Sequence, residues 1–324
     1  MRNRTIDIAR GIGILSIIIG HFGIRSITRV VYTYHIPIFY IFTGYFLKRE
    51  GLLSFTKRKA RNLLVPYVLT CGVVIGGGLL FQGKDIGLDW VLASFYGAGS
   101  EYKSPVQPIG AIWFLWSTFW GSIFLQVSLR LKPFYRIACI IILFVLGYAT
   151  SKVLWLPFSI QAGCCAVLFM YVGYCLRQCE SFDIPSEVKL FSIVAAFLVW
   201  ITFIYSFHSF YLVRNDFGRG TMDIAASLCG CYCIVIIARR VNDKLPCLAM
   251  ILSCIGRYSI VILCVHLVEM NLVDWWMVVK AFESFKITFI IAEFLAVLLK
   301  IMIIFGFTYL ISKSKRIGHI FSIK

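Results

Sequence analysis

Long apolar runs, separated by short polar segments, recur from one end of the chain to the other. A helix needs roughly 20 mostly apolar residues to cross the hydrocarbon core of a membrane. Ten runs approach this length, and no segment between them is long enough for a soluble domain. The pattern predicts an all-α, polytopic membrane helix bundle that forms a single domain over residues 1–324. The predicted spans are residues 6–25, 32–47, 62–82, 110–129, 135–152, 160–177, 188–208, 220–238, 251–272 and 287–311, with the longest loop at 83–109.

The composition agrees with this pattern. Of the 324 residues, 60% are hydrophobic and only 15% are charged, and the mean hydropathy is +0.86. These values exclude an ordinary soluble globular protein. The first apolar run is not followed by a small-residue cleavage site, so we interpret it as a retained helix rather than a removed signal peptide.

The distribution of basic residues predicts the orientation of the chain. Most of the 32 Lys and Arg residues fall on one side of the predicted spans. Because cytoplasmic loops are enriched in Lys and Arg, this side is assigned to the cytoplasm, and both termini are expected there. The net charge of +17 then reflects membrane orientation and does not indicate a nucleic-acid partner.

The cysteines do not form a convincing metal motif. Cys229, Cys231 and Cys233 alternate in the eighth predicted span. Residues two apart on a helix point about 200° away from each other, so these thiols cannot converge on one ion. We expect structural thiols and no metal.

Three ionisable side chains share one stripe of the first predicted helix: Asp7, Arg10 and His21. Such groups are expensive at membrane depth and are often functional. Asp7 and His21 lie about 21 Å apart along a helix, which puts Arg10 near the cytoplasmic end and His21 in the outer half. Asp7 and Arg10 are either an interfacial ion pair or part of a substrate path, whereas a neutral His21 suits a general base.

Two further groups follow closely in the sequence. His35 precedes Pro37 at the predicted start of the second helix, where it either caps the helix or meets His21 near the outer leaflet. Arg58 and Arg61 lie at the predicted start of the third helix. An arginine pair spaced i,i+3 can grip a phosphate, although anchoring to the cytoplasmic surface also explains these charges.

Together these motifs resemble acyltransferase family 3, and within it the exopolysaccharide and fucose O-acetyltransferase branch. The strongest matching segments are RTIDIARG at 4–11, IGH at 19–21, YHIPIF at 34–39, TGYF at 43–46 and RKARNLLVPY at 58–67. Weaker matches are WFL at 113–115, GY at 173–174 and IGRYS at 255–259 with His266.

The resemblance implies a ten-helix acyltransferase domain in the inner cell membrane. It implies cytoplasmic acetyl-CoA as the donor and a hydroxyl of a cell-surface or exopolysaccharide sugar, free or lipid-linked, as the acceptor. The family histidine falls on His21, as general base or acetyl carrier, and the family arginine pair falls on Arg58 and Arg61. His35 stands where many relatives have a carboxylate and is expected to orient His21 or to accept a second proton. Asp7 and Arg10 are expected to line the donor path or to lock helix packing.

Later ionisable and aromatic residues are candidates for the acceptor site. His266 and Glu269 are spaced i,i+3 on the ninth predicted helix, as an acceptor site or a structural pair. Trp113 lies near the start of the fourth predicted helix and is a candidate for stacking on a sugar, although tryptophans near a helix end more often form interfacial belts. Glu293 and Lys300 share a face of the tenth helix and are interpreted as neutralising polar neighbours.

A transporter or flippase of a glycan precursor is the alternative function, with His, Glu and Lys forming a proton relay. Such transporters often have two related halves with broken helices at matching positions. The chain shows no such correspondence between its halves. The sequence therefore favours the enzyme.

Overall fold

The computed structural model of the protein describes residues 3–22, 24–82, 84–96, 108–179, 186–285, 288–314 and 321. Within these ranges the chain is helical and contains no strand, apart from one isolated pairing of Tyr211 with Asp216. The first seven helices are α1 (Arg4–Gly20), α2 (Arg25–Val31), α3 (Pro37–Tyr45), α4 (Leu52–Lys59), α5 (Val65–Gly77), α6 (Lys84–Phe95) and α7 (Trp113–Ser128). The others are α8 (Pro133–Val153), α9 (Ile160–Cys179), α10 (Ser186–Tyr205), α11 (Thr221–Lys244), α12 (Pro246–Arg257), α13 (Ser259–Leu272), α14 (Trp275–Ser284) and α15 (Phe289–Lys313).

Several of these helices are long and apolar enough to cross a membrane. By length and composition, five described helical stretches qualify, or six when the bent pair of α12 and α13 is taken as one span. The five are Leu52–Phe81, Pro133–Val153, Pro157–Cys179, Thr221–Lys244 and Ile291–Lys313. The protein is therefore an all-helical, multi-pass membrane protein, with fewer long uninterrupted helices than the ten segments predicted.

The first two predicted spans are shorter and more broken than expected. The first helix, α1, ends at Gly20, and His21 follows it as the C-cap. After the short α2, the chain turns through residues 32–36, and Pro37 begins α3, which has only nine residues. Proline is favoured in the first turn of a helix because its missing N–H is not needed there. His35 consequently lies in the turn before α3.

The third predicted span starts ten residues earlier than expected. Leu52–Phe81 is one continuous helical stretch, so the expectation that Arg58 and Arg61 lie at a helix start is wrong. A π-helical turn, Ala60–Leu64, joins α4 to α5, and Pro66 is the second residue of α5. Because Pro66 has no N–H, it cannot make the ordinary bond back to the carbonyl four residues earlier, and the wider turn falls at this point.

The ninth predicted span, expected to run unbroken over residues 251–272, is two helices. They are α12 and α13, which meet at Tyr258 with a bend of 70°. Described helices also occur between predicted spans: α2 connects the first two, α6 lies within the expected loop 83–109, and α14 precedes the last span. Hydropathy registers apolar length but carries no information on chain direction, which explains why the bend was missed.

Close backbone crossings fix the helices around α1. A Cβ atom on Gly256 of α12 would collide with the carbonyl oxygen of Asp7 in α1, and one on Gly11 would collide with the carbonyl oxygen of Leu252. Small residues of this kind allow helices to approach closely within membranes. The crossing brings the start of α1 against the end of α12, and therefore against the bend at Tyr258.

Candidate active site

His21 is the residue around which the candidate active site is built. Its Nδ1 atom lies 2.8 Å from the carbonyl oxygen of Ile17, one turn earlier in α1. The same nitrogen lies 3.2 Å from Nε2 of His266 in α13. The two imidazole rings are 5.2 Å apart between centroids and are tilted by 51°. Residues 245 positions apart in the sequence thus form one polar contact.

A carboxylate stands behind His266. Nδ1 of His266 lies 2.7 Å from Oε1 of Glu269. The other oxygen, Oε2, accepts a hydrogen bond of 2.6 Å from the indole N–H of Trp275. Nζ of Lys300 lies 3.4 Å from Oε1. Helices α1, α13, α14 and α15 or their ends therefore all contribute to one polar cluster.

This hydrogen-bond pattern selects the tautomers of both histidines. The carbonyl oxygen of Ile17 can only accept, so Nδ1 of His21 carries the proton. Oε1 of the Glu269 carboxylate likewise accepts a hydrogen bond from Nδ1–H of His266, which leaves Nε2 of His266 as an acceptor facing Nδ1–H of His21. Nε2 of His21 is then unprotonated, so it can act as a base. The Nδ1 atom of the same ring is held by its hydrogen bonds.

Burial differs sharply across the cluster. His266, Glu269 and Lys300 are 0%, 3% and 8% exposed, whereas His21 is exposed. Buried ionisable groups are tolerated when they are paired and hydrogen-bonded, as these are. The ring of His21 is therefore accessible, whereas the groups behind it are enclosed.

His35 lies near this cluster but has other partners. Its Nδ1 donates to the carbonyl oxygen of Val31 at 2.8 Å, and its ring lies 4.8 Å from the ring of Tyr32. Tyr32 in turn packs against Gly20, next to His21. The imidazole that lies within hydrogen-bond distance of His21 is that of His266, and the role expected for His35, to orient His21 or to accept a second proton, stays a prediction.

A cavity of about 250 Å³ lies at the bend between α12 and α13. Its polar wall includes Arg10 from α1, Asn62 from the π-helical turn and Arg257 from the end of α12. The first residues of α13 also line it, and the N-terminus of this helix has no side-chain cap. Helix N-termini favour anions. Two guanidinium groups beside such a terminus make the cavity suitable for an anionic ligand.

The cavity lies beside the first half of α1, and the histidine cluster lies at the C-terminal end of this helix. Arg10 and His21 are eleven positions apart, which corresponds to about 16 Å along a helix. The guanidinium of Arg10 lies 5.4 Å from the ring centroid of Phe46 and 5.9 Å from that of Phe42, so these rings fix its position beside the cavity. A ligand bound there would have to be extended to reach His21.

The other predicted site residues are placed less centrally. Arg58 pairs with Glu50, and Arg61 is exposed in the π-helical turn, one residue before Asn62.

Asp7 is buried at the Gly256 crossing. Trp113 is buried and has its ring edge-on to Phe114 at 6.3 Å. His266 and Glu269, expected to be acceptor-site candidates, contact His21 directly or through one another.

Sequence reasoning missed Trp275 and the cavity role of Arg257. Arg257 carried a signal, since it belongs to the IGRYS segment, but its spatial neighbours come from distant helices. Lys300 was recognised only as a neutralising charge, and Glu293, its expected companion, is exposed. Among the described residues, no group of three His, Cys, Asp or Glu side chains could hold a metal ion.

An all-helical membrane protein with an accessible histidine held by a buried histidine–glutamate pair fits a membrane-bound transferase. The family model of an acyltransferase domain, acyltransferase family 3, matches residues 3–313 of the chain. The protein belongs to acyltransferase family 3, and this membership identifies it as a membrane acyltransferase. No curated protein and no solved structure matches the chain significantly.

Proposed function

We propose that the protein is an O-acetyltransferase that moves an acetyl group from acetyl-CoA to a sugar hydroxyl, with His21 as the general base. The observation that carries this proposal is the contact of His21 with His266 and, through it, with Glu269. A base held by a second group that is itself oriented by a third is the logic of catalytic triads.

In the proposed reaction, Nε2 of His21 accepts the proton of the acceptor hydroxyl. The hydroxyl oxygen attacks the thioester carbonyl carbon, and a tetrahedral intermediate forms. When the carbon–sulfur bond breaks, the CoA sulfur leaves as a thiolate and takes the proton from Nε2, which regenerates neutral His21. While His21 is doubly protonated, His266 accepts a hydrogen bond from its Nδ1–H, and Glu269 stabilises the charge.

The cavity at the bend is the proposed site for the phosphate-bearing part of the donor. Arg10 and Arg257 would neutralise phosphate charge, and the N-terminus of α13 adds backbone N–H groups. Arg58 and Arg61 lie on the adjoining helix and would extend this basic entrance. The 4′-phosphopantetheine arm, which is long and narrow, suits the distance from Arg10 to His21. Asp7 would hold the start of α1 in place.

The acceptor and the cellular location complete the proposal. We assign the acceptor to a cell-surface or exopolysaccharide glycan, free or lipid-linked, which approaches His21 from the outer side past His35, with Trp113 as a stacking candidate. The chain would form one domain that crosses the inner cell membrane ten times, with broken spans counted and both termini in the cytoplasm. In this proposal the donor enters from the cytoplasm, and its arm reaches from the cavity to His21, which explains why the cavity and the histidine cluster lie apart.

The first experiment measures acetyl release from radiolabelled acetyl-CoA by the purified protein in detergent or nanodiscs, with an added glycan fraction. The His21→Ala variant should lose release by about 10²- to 10⁴-fold, the range for a general acid–base group. His208→Ala is the matched control, because His208 is an exposed histidine outside the cluster. Release that survives unchanged in His21→Ala would overturn the assignment.

Trapping of the label distinguishes the two roles open to His21. A general base leaves no label on the protein, whereas an acetyl carrier gives acetyl-histidine at His21 after quenching. The label, if present, is located by mass spectrometry of the peptide that contains residue 21. Label on another residue would contradict both roles.

Donor binding tests the cavity separately. The Arg10→Ala/Arg257→Ala double variant should weaken binding of a non-hydrolysable acetyl-CoA analogue by at least 10-fold. Arg136→Ala is the control, because Arg136 bonds to Leu131 of the α7–α8 connection. Comparison with Arg58→Ala/Arg61→Ala ranks the two basic sites. Binding that depends only on Arg58 and Arg61 would move the donor site out of the cavity.

A further inference from the structure

The strongest unassigned feature is the buried ion pair between Lys300 and Glu269. It joins α15, the last described helix, to α13. Ionisable side chains within membrane segments are costly, so a buried pair of this kind usually has a functional role. Its position, one imidazole away from His21, connects it to the candidate active site.

Both oxygens of Glu269 have fixed partners. Oε1 accepts from Nδ1 of His266 and faces the Lys300 ammonium, and Oε2 accepts from the indole of Trp275. A carboxylate buried without such partners would be strongly disfavoured in its charged form. The lysine and the indole therefore hold both oxygens of the carboxylate and prevent it from rotating.

Lys300 is itself held by two aromatic rings. Its Nζ lies 5.5 Å from the ring centroid of Trp275 and 5.6 Å from that of Phe22. Aromatic faces attract a desolvated ammonium. Because Phe22 directly follows His21, the lysine contacts both the residue next to the proposed base and the carboxylate behind it.

We propose that Lys300, with Trp275, is a positioning residue that fixes the orientation of the Glu269 carboxylate and thereby sets the tautomer of His266, whose Nε2 atom is the acceptor facing Nδ1–H of His21. The inference rests on the proposed function of His21 as the base. Its direct consequence is that removal of the lysine charge allows His266 to populate both tautomers while the donor site stays unchanged. Glu293 shares the helix with Lys300 but is exposed, so it does not replace Glu269 as the partner.

The test uses NMR of the full-length protein labelled with ¹⁵N in the histidine rings. The chain has only five histidines, so single His→Gln variants assign every signal. In the wild type, His21 and His266 should both show the Nδ1–H tautomer. In Lys300→Met, His266 should become a tautomer mixture, whereas His21 and His35, whose Nδ1–H groups are bonded to the carbonyls of Ile17 and Val31, should keep the Nδ1–H tautomer. Lys300→Arg should restore the wild-type pattern.

Two further variants keep the test decisive. Trp275→Phe removes only the N–H donor to Oε2 and keeps the aromatic ring, so it should shift His266 partly and serves as the probe if Lys300→Met does not fold. Lys313→Met is the control, because this exposed lysine of α15 lies 5.3 Å from the ring centroid of Tyr309. It should leave all histidine signals unchanged.

Kinetics supply the second measurement. Lys300→Met should lower kcat of acetyl transfer by about 10- to 100-fold, as outer partners of oriented histidines do in metal sites, with KM for acetyl-CoA within about twofold. Lys300→Arg should recover most of kcat. A rise in KM at unchanged kcat would overturn the positioning role.

The outcomes separate this inference from the proposed function. Unchanged tautomers in both Lys300→Met and Trp275→Phe overturn the positioning role, whatever the activity. The expected tautomer change in a protein that transfers no acetyl group supports the positioning of His266 but contradicts the acetyltransferase proposal.

Discussion

At the scale of single residues, the cluster separates His21, the proposed base, from the buried charge of Glu269 behind it. A carboxylate placed directly beside an accessible histidine would have to remain ionised next to the substrate path. Here Glu269 is enclosed with Lys300, and His266 carries its influence to the exposed His21. The costly charges are thus paired in the interior, and under the proposed function only the imidazole of His21 meets the substrate.

The first prediction at this scale concerns His266. His266→Phe keeps a ring in the buried site but removes the acceptor for Nδ1–H of His21. We expect kcat to fall by about 10²-fold or more, because the imidazolium formed in the transition state loses its stabilising partner. KM for acetyl-CoA should change little. Initial rates of CoA release measure both constants.

The control for His266→Phe is His208→Phe, which changes an exposed histidine and should leave both constants unchanged. Thermal unfolding of the two variants is compared to exclude a general loss of fold. A folded His266→Phe protein with full kcat would show that His21 needs no support from α13.

At the scale of helices, the bend at Tyr258 explains how a polar cavity exists inside the bundle. A helix that stops within the protein leaves backbone N–H groups without intrahelical partners, and such groups are tolerated in membranes where they line a cavity. The break places Arg257 and the start of α13 at this cavity. The same break allows α13 to continue toward His21 along a different direction.

The crossing of α1 and α12 holds this arrangement together and is tested at Gly256. Gly256→Val would push side-chain atoms into the carbonyl of Asp7. We expect a loss of about 1–3 kcal/mol in stability from overpacking and weaker donor binding, because Arg10 and Arg257 move apart. Gly306→Val is the control, since a Cβ there meets no atom within 4 Å. Equal melting temperatures for the two variants would contradict the close crossing.

The sequence predicted the presence of membrane helices better than their ends. Apolar length identified α8, α9, α11 and α15 because each is a long uninterrupted run. It failed at residues 251–272, because a bend between two apolar helices leaves the hydropathy unchanged. His21 was found because an ionisable residue inside an apolar run is conspicuous. Its contact with His266 could not be found, since the helix pairing that creates it is not encoded locally.

At the scale of the whole molecule, α1 connects two chemically different ends of the site. Arg10 and Arg257 form a basic cavity near the start of the helix, and the histidine cluster lies beyond its end. A basic cavity suits the phosphates of the proposed donor, and the histidine cluster suits the proposed acceptor hydroxyl. This placement of the two substrates requires the Arg10 end of α1 to face the cytoplasm, as the basic residues of the sequence predict.

Two native cysteines test this orientation. Cys179 ends α9 and Cys247 lies at the start of α12, and both are exposed. Under the proposed topology both face the cytoplasm. In sealed cells or spheroplasts, a membrane-impermeant maleimide should leave them unlabelled, whereas a permeant maleimide or prior lysis should label both, as read by mass spectrometry of the peptides. His208→Cys, in the loop after α10, should be labelled from outside. Labelling of Cys247 in sealed cells together with protection of residue 208 would reverse the orientation, and the basic cavity would then face away from the cytoplasmic donor.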